Sequence, residues 1–345
     1  MRSADRILRQ LRPWGLLGLL LAAVLAAPRA AGAQTPPIGP PGPLARSAEP
    51  PSVPPRSKPL EVLVTIPDLA DFARQLGQER VLVHSLAEGM ENMHAVLLRP
   101  SDLVKAGRAE LFIEIGLSLE HSFVPGLLEA ANNPRIKPGK PGFVNASQGW
   151  RPIEVPAVLT RDAGVDIHPD GNPHWNLSPD AGPHLVEKVL GGLCAVDPAG
   201  EPLYRWRAEG LLERLTAARE RWRRAEALLA GRALVCYHRD VSYLALSCGL
   251  SIAGTIEPKP GVPPSPASMG QLVAQMREQQ VPVILTGKWS NNNFTRFVAK
   301  ESGARIVEIP LMVGGERGAE TWIDLLDLLH RRLLEAYGLA LDEGA

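Results

Sequence analysis

The chain has 345 residues, 37 Lys and Arg against 37 Asp and Glu, and a hydrophobic fraction of 45%. That length fits about two domains, and the apolar fraction is too low for a multi-span membrane protein. A formal net charge of zero argues against an extended nucleic-acid surface, which needs a basic face to pair with phosphates.

The charge balance is partly set by the N-terminus. Residues 1–33 contain five Arg and one Asp, so the remainder carries 32 basic and 36 acidic residues. Arg2, Arg6, Arg9 and Arg12 precede the apolar run WGLLGLLLAAVLA at 14–26, and Ala31-Gly32-Ala33 forms an A-x-A-type site before Gln34. A basic start, a short apolar stretch and small residues at a cleavage point predict a signal peptide and export. Thirteen apolar residues are too few to cross about 30 Å of hydrocarbon comfortably. No Cys lies near the cleavage point, so nothing there supports acylation. Residues 34–59 hold ten Pro in 26 positions, which predicts a disordered tether of extended polyproline geometry.

From residue 60 the grammar changes. Short apolar runs predict strands at 61–66 (EVLVTI), 80–85 (RVLVHS) and 110–115 (ELFIEI), with helices at 67–76, 100–106 and 120–131. The second half repeats the pattern, with strands at 232–237 (RALVCY), 252–257 (IAGTIE), 281–285 (VPVIL) and 304–309 (ARIVEI). Helices are expected at 266–279, 292–302 and 321–337, the first with Ser265 as N-cap and Pro266 at its first position. Strands alternating with helices imply an α/β fold with largely parallel sheets. Between the halves, Leu203, Trp206, Leu211, Leu212, Leu215, Ala218, Trp222, Ala225 and Leu229 recur at helical spacing. A helix of that length spans about 43 Å, enough to run along two lobes and restrict their relative motion. The expected layout is a signal peptide (1–33), a tether (34–59), an N-terminal lobe (60–200), a connecting helix (201–230) and a C-terminal lobe (231–345).

Of eight His, four fall in loops that end strands, where open α/β sheets present their ligands. His94 lies in GMENMHAVLLRPSD, His168 and His174 in DIHPDGNPHWNLSPD, and His238 ends RALVCYH. His84, His121, His184 and His330 fall within or beside strands and helices and read as structural. Neutral imidazole suits zinc and other divalent first-row ions. Spacing alone leaves two readings open, a shared site between lobes or unrelated loop histidines. Asp166, Gly171, Asn172 and Pro173 constrain the loop presenting His174, with Asn172 either tying down backbone, orienting the ring or forming an ordinary Asn-Pro turn. Asp240 serves either as an acceptor for an imidazole N–H or as a helix cap. The chain has no HExxH, CxxC, GxGxxG or GxSxG, so zincin, zinc-ribbon, dinucleotide-binding and serine-hydrolase readings lack their usual signals.

Across residues 61–337, five blocks occur in order: GMENMHAVLLRPSDLVKAGRAELFIEIGLSLE, VDIHPDGNPHWNLSPDAG, VCYHRDVSYLALSCGL, GTIEPKPGVPPSPASM and GARIVEIPLMVGG. Together they resemble the metal-binding solute-binding proteins of ABC importers, the periplasmic zinc/manganese-uptake family that includes adhesin-like members. The resemblance implies two α/β lobes joined by one long helix, with a metal held between them by His94, His174 and His238. It also implies a periplasmic location, an ABC permease at the inner membrane as partner, a monomer, no nucleic acid and no catalysis. His168 belongs to an H-P-x-G-N-P-H pattern and is read as shaping its loop. Many relatives supply a fourth ligand, an Asp, after a late strand. Here that stretch is IPLMVGGERGAETW, which leaves Glu316 as the nearest acidic candidate and water as the alternative.

Zinc is the expected cargo and manganese the runner-up, because a nitrogen-rich set favours zinc. Affinity is expected to fall as the pH drops below the imidazole range. Two other functions stay open, a metal-dependent adhesin and a secreted zinc hydrolase using metal-bound water. Glu257 reads as a solvated loop carboxylate or as a partner of a ligand imidazole. Trp175 and Trp289 read as packing, as water-excluding groups or as partner contacts. Cys236 and Cys248 permit a disulfide in an exported protein, leaving Cys194 unpaired; three separate thiols are the alternative.

Overall fold

Runs of Val, Ile and Leu that are apolar on both faces can be satisfied only in sheets covered on both sides. Four such runs form the central strands of two four-stranded sheets, each flanked by more exposed edge strands, in a computed structural model that describes residues 49–94, 96–156, 168–258, 261–290 and 292–341. The expected signal peptide, residues 34–48 and Asp166 lie outside the described residues. Among the described residues, no helix is long and apolar enough to cross a membrane.

The first sheet comprises β1 (Leu60–Val64), β2 (Val81–Ser85), β3 (Leu111–Glu114) and β4 (Phe143–Asn145), in the order β2-β1-β3-β4. The second comprises β5 (Ala233–Cys236), β6 (Ser251–Thr255), β7 (Val283–Gly287) and β8 (Arg305–Ile309), in the equivalent order β6-β5-β7-β8. Every pairing is parallel. All seven expected strands occur to within two residues of the positions predicted from sequence, and β4 is additional. Parallel pairing sends all strand ends in a sheet the same way, so the loops that follow the strands gather on one side.

Helices α1 (Pro67–Gly77), α2 (Pro100–Arg108), α3 (Val124–Ala131) and α4 (Ala181–Val196) accompany the first sheet. Helices α6 (Ser242–Ser247), α7 (Pro266–Glu278) and α8 (Asn293–Ser302) accompany the second. The Ser265 side chain caps α7 by accepting from the Ser268 N–H, with Pro266 at the first position. Helix α4 carries Pro183, Gly191 and Gly192, residues that read as breakers in sequence. At Gly192 the reason is contact: a Cβ there would come within 2.9 Å of Val144 and 3.1 Å of Leu111 in the sheet beneath.

The connecting helix α5 runs over Glu201–Leu229. Its buried stripe is Leu203, Tyr204, Ala208, Leu211, Leu215, Ala218, Trp222, Ala225 and Leu229, while Trp206 and Leu212 are only half-buried. The last helix, α9 (Trp322–Ala336), packs along α5 and reaches back to α1. Trp322 stands at that junction, 5.6 Å from Phe72 of α1 and 5.7 Å from Trp222 of α5 between ring centroids. One hydrophobic core therefore runs continuously from β1 through α5 into β5, β8 and α9.

Two sequence expectations change. Residues 49–59 of the expected tether are docked, because their free carbonyls and Arg56 find partners on the first lobe. The Pro54 carbonyl accepts from Arg80 Nη1 at 2.7 Å, and Arg56 pairs with Glu110 at 3.2 Å and Asp197 at 3.3 Å. The cysteines are three separate thiols: Cys236 is buried in β5, Cys248 is buried after α6, and Cys194 is half-buried in α4.

Candidate metal centre

Three imidazoles reach one point from three strand-ending loops. His94 follows β2; its N–H donates to Asn92 Oδ1 at 3.0 Å, and its carbonyl accepts from Ser122 Oγ at 2.9 Å. His174 follows β4 and is held by Asn172, whose Oδ1 accepts from the His174 N–H at 2.9 Å. His238 lies just beyond β5, and its Nδ1–H donates to Glu257 Oε2 at 3.0 Å. That bond places a proton on Nδ1, so in the neutral ring Nε2 carries the lone pair that ligates metal. Glu257 is thus a half-buried partner of an imidazole.

The ligating atoms of His94, His174 and His238 all lie within 4.8 Å of one another, and all three side chains are buried. His94 Nε2 and His174 Nε2 are 3.1 Å apart. A tetrahedron of nitrogens at about 2.0–2.1 Å from zinc has edges of about 3.3 Å, so these two rings are spaced as a shared cation requires. Burial is the first cause, and the neighbouring imidazoles the second, that hold His94 and His174 well below the ordinary imidazole value. Burial likewise lowers His168 to about 4. His168 sits beside the trio, its ring centroid 5.1 Å from that of His94.

Asn172 does more than shape its own turn. Its Nδ2 donates to the Arg239 carbonyl at 2.7 Å and to Glu154 Oε2 at 2.8 Å, and its carbonyl accepts from Tyr243 Oη at 2.8 Å. Arg239 and Tyr243 flank His238 in the second half, so one Asn couples the His174 loop to the His238 loop. Asp240 lies in the turn after His238; burial pushes its carboxyl up to about 6 against the lowering pull of His238. Sequence spacing gave no sign of Tyr243, nor of Asp68 and Asn176. Asn176 Nδ2 donates to Asp68 Oδ1 and to the Leu311 carbonyl, both at 3.1 Å, and Asp68 Oδ2 accepts from the Val313 N–H at 3.1 Å. This latch ties the loop after β8 to α1. The same loop meets the His94 loop at two glycines: a Cβ on Gly89 would lie 2.3 Å from the Gly315 nitrogen.

Glu316 is not part of the imidazole group. Arg332 pairs with one of its carboxylate oxygens, and Lys288 Nζ lies 3.6 Å from the other. Glu316 is held by Arg332 and faces Lys288, outside the group of His94, His174 and His238, which corrects the expectation that it supplies a fourth ligand. Trp175 is a core residue, its Nε1–H donating to the Ile115 carbonyl and its ring stacked on Trp150 at 5.0 Å. Trp289 lies 5.8 Å from the Tyr237 ring, edge to face. The four histidines read as structural each have a partner. His84 pairs with Glu61, and His121, His184 and His330 donate to the carbonyls of Ser118, Ala146 and Leu326.

Two parallel α/β halves joined by a 29-residue helix, with imidazoles from both halves meeting at the strand ends, define a metal-binding substrate-binding protein of the ABC-importer class. The family model of ZnuA, the periplasmic component A of a zinc-uptake complex, matches residues 62–336, and the chain belongs to that family. It is 25% identical over 289 residues to the iron-binding protein YfeA of Yersinia pestis, covering 82% of this chain and 88% of that protein. The manganese ABC transporter substrate-binding lipoprotein PsaA of Streptococcus pneumoniae is 22% identical over 268 residues, covering 75% and 83% respectively. In fold, the chain is similar to a zinc-bound ZnuA lacking residues 138–173 of its own sequence, with a TM-score of 0.69 at 22% identity and coverage of 82% and 100%. It is similarly close to a manganese-bound serine-to-alanine mutant of a periplasmic metal-binding protein of Candidatus Liberibacter asiaticus, with a TM-score of 0.66 at 21% identity and coverage of 79% and 98%.

Glu257 provides a graded test of the site. Glu257→Gln removes the charge that orients His238 while keeping its size. Loss of such a partner costs about 10–100-fold in metal affinity, to be read by competition against a chromophoric chelator. Unchanged affinity would mean that the His238–Glu257 pair plays no part in metal binding.

Proposed function

We propose that the protein captures Zn2+ in the periplasm through His94, His174 and His238 and passes it to an ABC permease. The observation that carries this reading is the convergence of three buried imidazoles from both halves of the molecule. An all-nitrogen set selects a borderline ion such as zinc over manganese, which favours oxygen donors. Water completes the coordination, since Glu316 is engaged by Arg332 and Lys288. Binding is the whole of the chemistry: the ion exchanges aqua ligands for imidazoles, and docking on the permease must loosen the loops to release it. Export rests on the N-terminal signal pattern and on the periplasmic family. The direct test is elemental analysis of purified protein with calorimetric titration of Zn2+ and Mn2+. Tighter binding of manganese than of zinc would overturn the choice of cargo, and no saturable binding of either would overturn the function.

The pH response follows from the depressed imidazoles. His94, His168 and His174 remain neutral as the pH falls through about 6.5, the ordinary imidazole value. Their contribution to competition by protons is therefore delayed, and zinc affinity is expected to hold through mild acidity and fall only in stronger acid. Stability of the zinc-free protein behaves differently. Unfolded imidazoles take up protons below about 6.5 while the folded ones do not, so the unfolded state binds more protons and stability falls as the pH decreases from there. Titrations and urea unfolding at stepped pH check both. A steep loss of affinity centred on 6.5 would contradict the first.

A further inference from the structure

A second group of donors lies outside the cleft, where α5, α6 and α9 meet. The ligating atoms of Glu226, Cys248 and His330 all lie within 4.8 Å of one another, and all three residues are buried. The His330 Nδ1–H donates to the Leu326 carbonyl at 2.7 Å, an orientation in which Nε2 is the nitrogen left to ligate whenever the ring carries one proton. Its ring lies parallel to that of Trp222, at 4° and 5.7 Å between centroids. His330 Nε2 has no hydrogen-bond partner among the described residues, although only 2% of the residue is exposed. It faces Glu226 Oε1, which is also buried and without a hydrogen-bond partner, at 3.5 Å. The other Glu226 oxygen accepts from Arg219 Nη1 at 2.8 Å, so the carboxylate is held with Oε1 turned inward.

A buried imidazole nitrogen and a carboxylate oxygen 3.5 Å apart call for a cation between them, a proton or a metal ion, and an unmet buried acceptor is costly. With a thiol in reach, the trio offers one nitrogen, one sulfur and one oxygen, a donor set that suits zinc and similar borderline ions. We propose that Glu226, Cys248 and His330 form a second, structural transition-metal site that ties the connecting helix to the C-terminal half. On loading, the Cys248 thiol gives its proton to solvent and the thiolate ligates. The site shares no residue with the cleft, and its role is to hold α5, α6 and α9 together.

Cobalt(II) separates the two sites, because only the second adds a thiolate-to-metal charge-transfer band. The full chain is expected to bind two equivalents, one with that band and one without. H94A/H174A/H238A should retain one equivalent with the band, and adding C248S should abolish both. C194S/C236S, whose one remaining thiol is Cys248, should keep the band. In the triple-His variant, zinc should raise the thermal transition, and this shift should vanish with C248S. Titration of the unmutated chain needs no variant to fold: one equivalent and no thiolate band would overturn the proposal, leaving a proton-bridged His330–Glu226 ion pair. Persistence of the band in C248S would overturn it equally. Loss of the equivalent without the band would instead count against the cleft reading alone.

Discussion

Alanine in place of His174 is expected to lower zinc affinity by about two to three orders of magnitude. Zinc held by four donors gains about 10–16 kcal/mol in small peptide sites, or about 3–4 kcal/mol per donor, and each 1.4 kcal/mol is tenfold. His174 is the most sensitive choice because it is 1% exposed and its loop is tied by Asn172 to both Arg239 and Tyr243. Water entering the gap left by alanine can replace one ligand but not the imidazole's softer nitrogen. Alanine at His94 or His238 should act in the same direction. Calorimetric titration of metal-stripped protein measures all three, and full zinc affinity retained in H174A would exclude His174 from the site.

Asp197→Ala is expected to destabilise the zinc-free protein by about 3–5 kcal/mol, the usual cost of leaving one partner of a buried ion pair uncompensated. Asp197 Oδ2 accepts from Arg80 Nη2 at 2.7 Å, Arg80 Nε at 3.1 Å and Tyr204 Oη at 2.5 Å, while Oδ1 meets Arg56. Arg80 is 4% exposed, so its guanidinium cannot recover that energy from water. Burial alone would raise the Asp197 carboxyl, but the bonds from Tyr204 and Arg80 outweigh it and leave the value lowered. Its contribution is thus present above about 3.9, the ordinary Asp value, and is lost in stronger acid as the folded carboxylate protonates. Arg80 precedes β2 and His94 follows it, which places this network at the far end of the sheet from the imidazoles. Zinc stoichiometry should therefore be unchanged. Urea unfolding measures the loss, and a change below about 1 kcal/mol would show that the network is solvated.

Much of the fold was legible because its signals are local. Short Val- and Ile-rich runs such as EVLVTI and ARIVEI have one good solution, a buried parallel strand, and the α5 stripe shows its period in sequence. The elements that no local signal announced, or that it announced wrongly, are those where tertiary contact overrides local preference. Helix α4 keeps Gly192 because it lies against Val144 and Leu111, and residues 49–59 are ordered by ion pairs with side chains far along the chain.

The site divides in the same way. Residue type and loop position singled out four histidines, His94, His168, His174 and His238, since open parallel sheets present ligands after their strands, and the family resemblance narrowed these to His94, His174 and His238. Glu316, the acidic residue nearest to where the resembling family places an Asp, is drawn off by Arg332 and Lys288, charges that no local pattern links to it. By itself, then, the sequence determined the α/β grammar, the long connecting helix and four loop histidines as candidate donors, because periodicity and donor chemistry are carried by the residues themselves. Only the tertiary structure decided that Glu257 orients His238, that Asn172 joins the two halves, and that Glu226, Cys248 and His330 meet behind them. Those are contacts between residues distant in the chain, and packing alone brings them within reach.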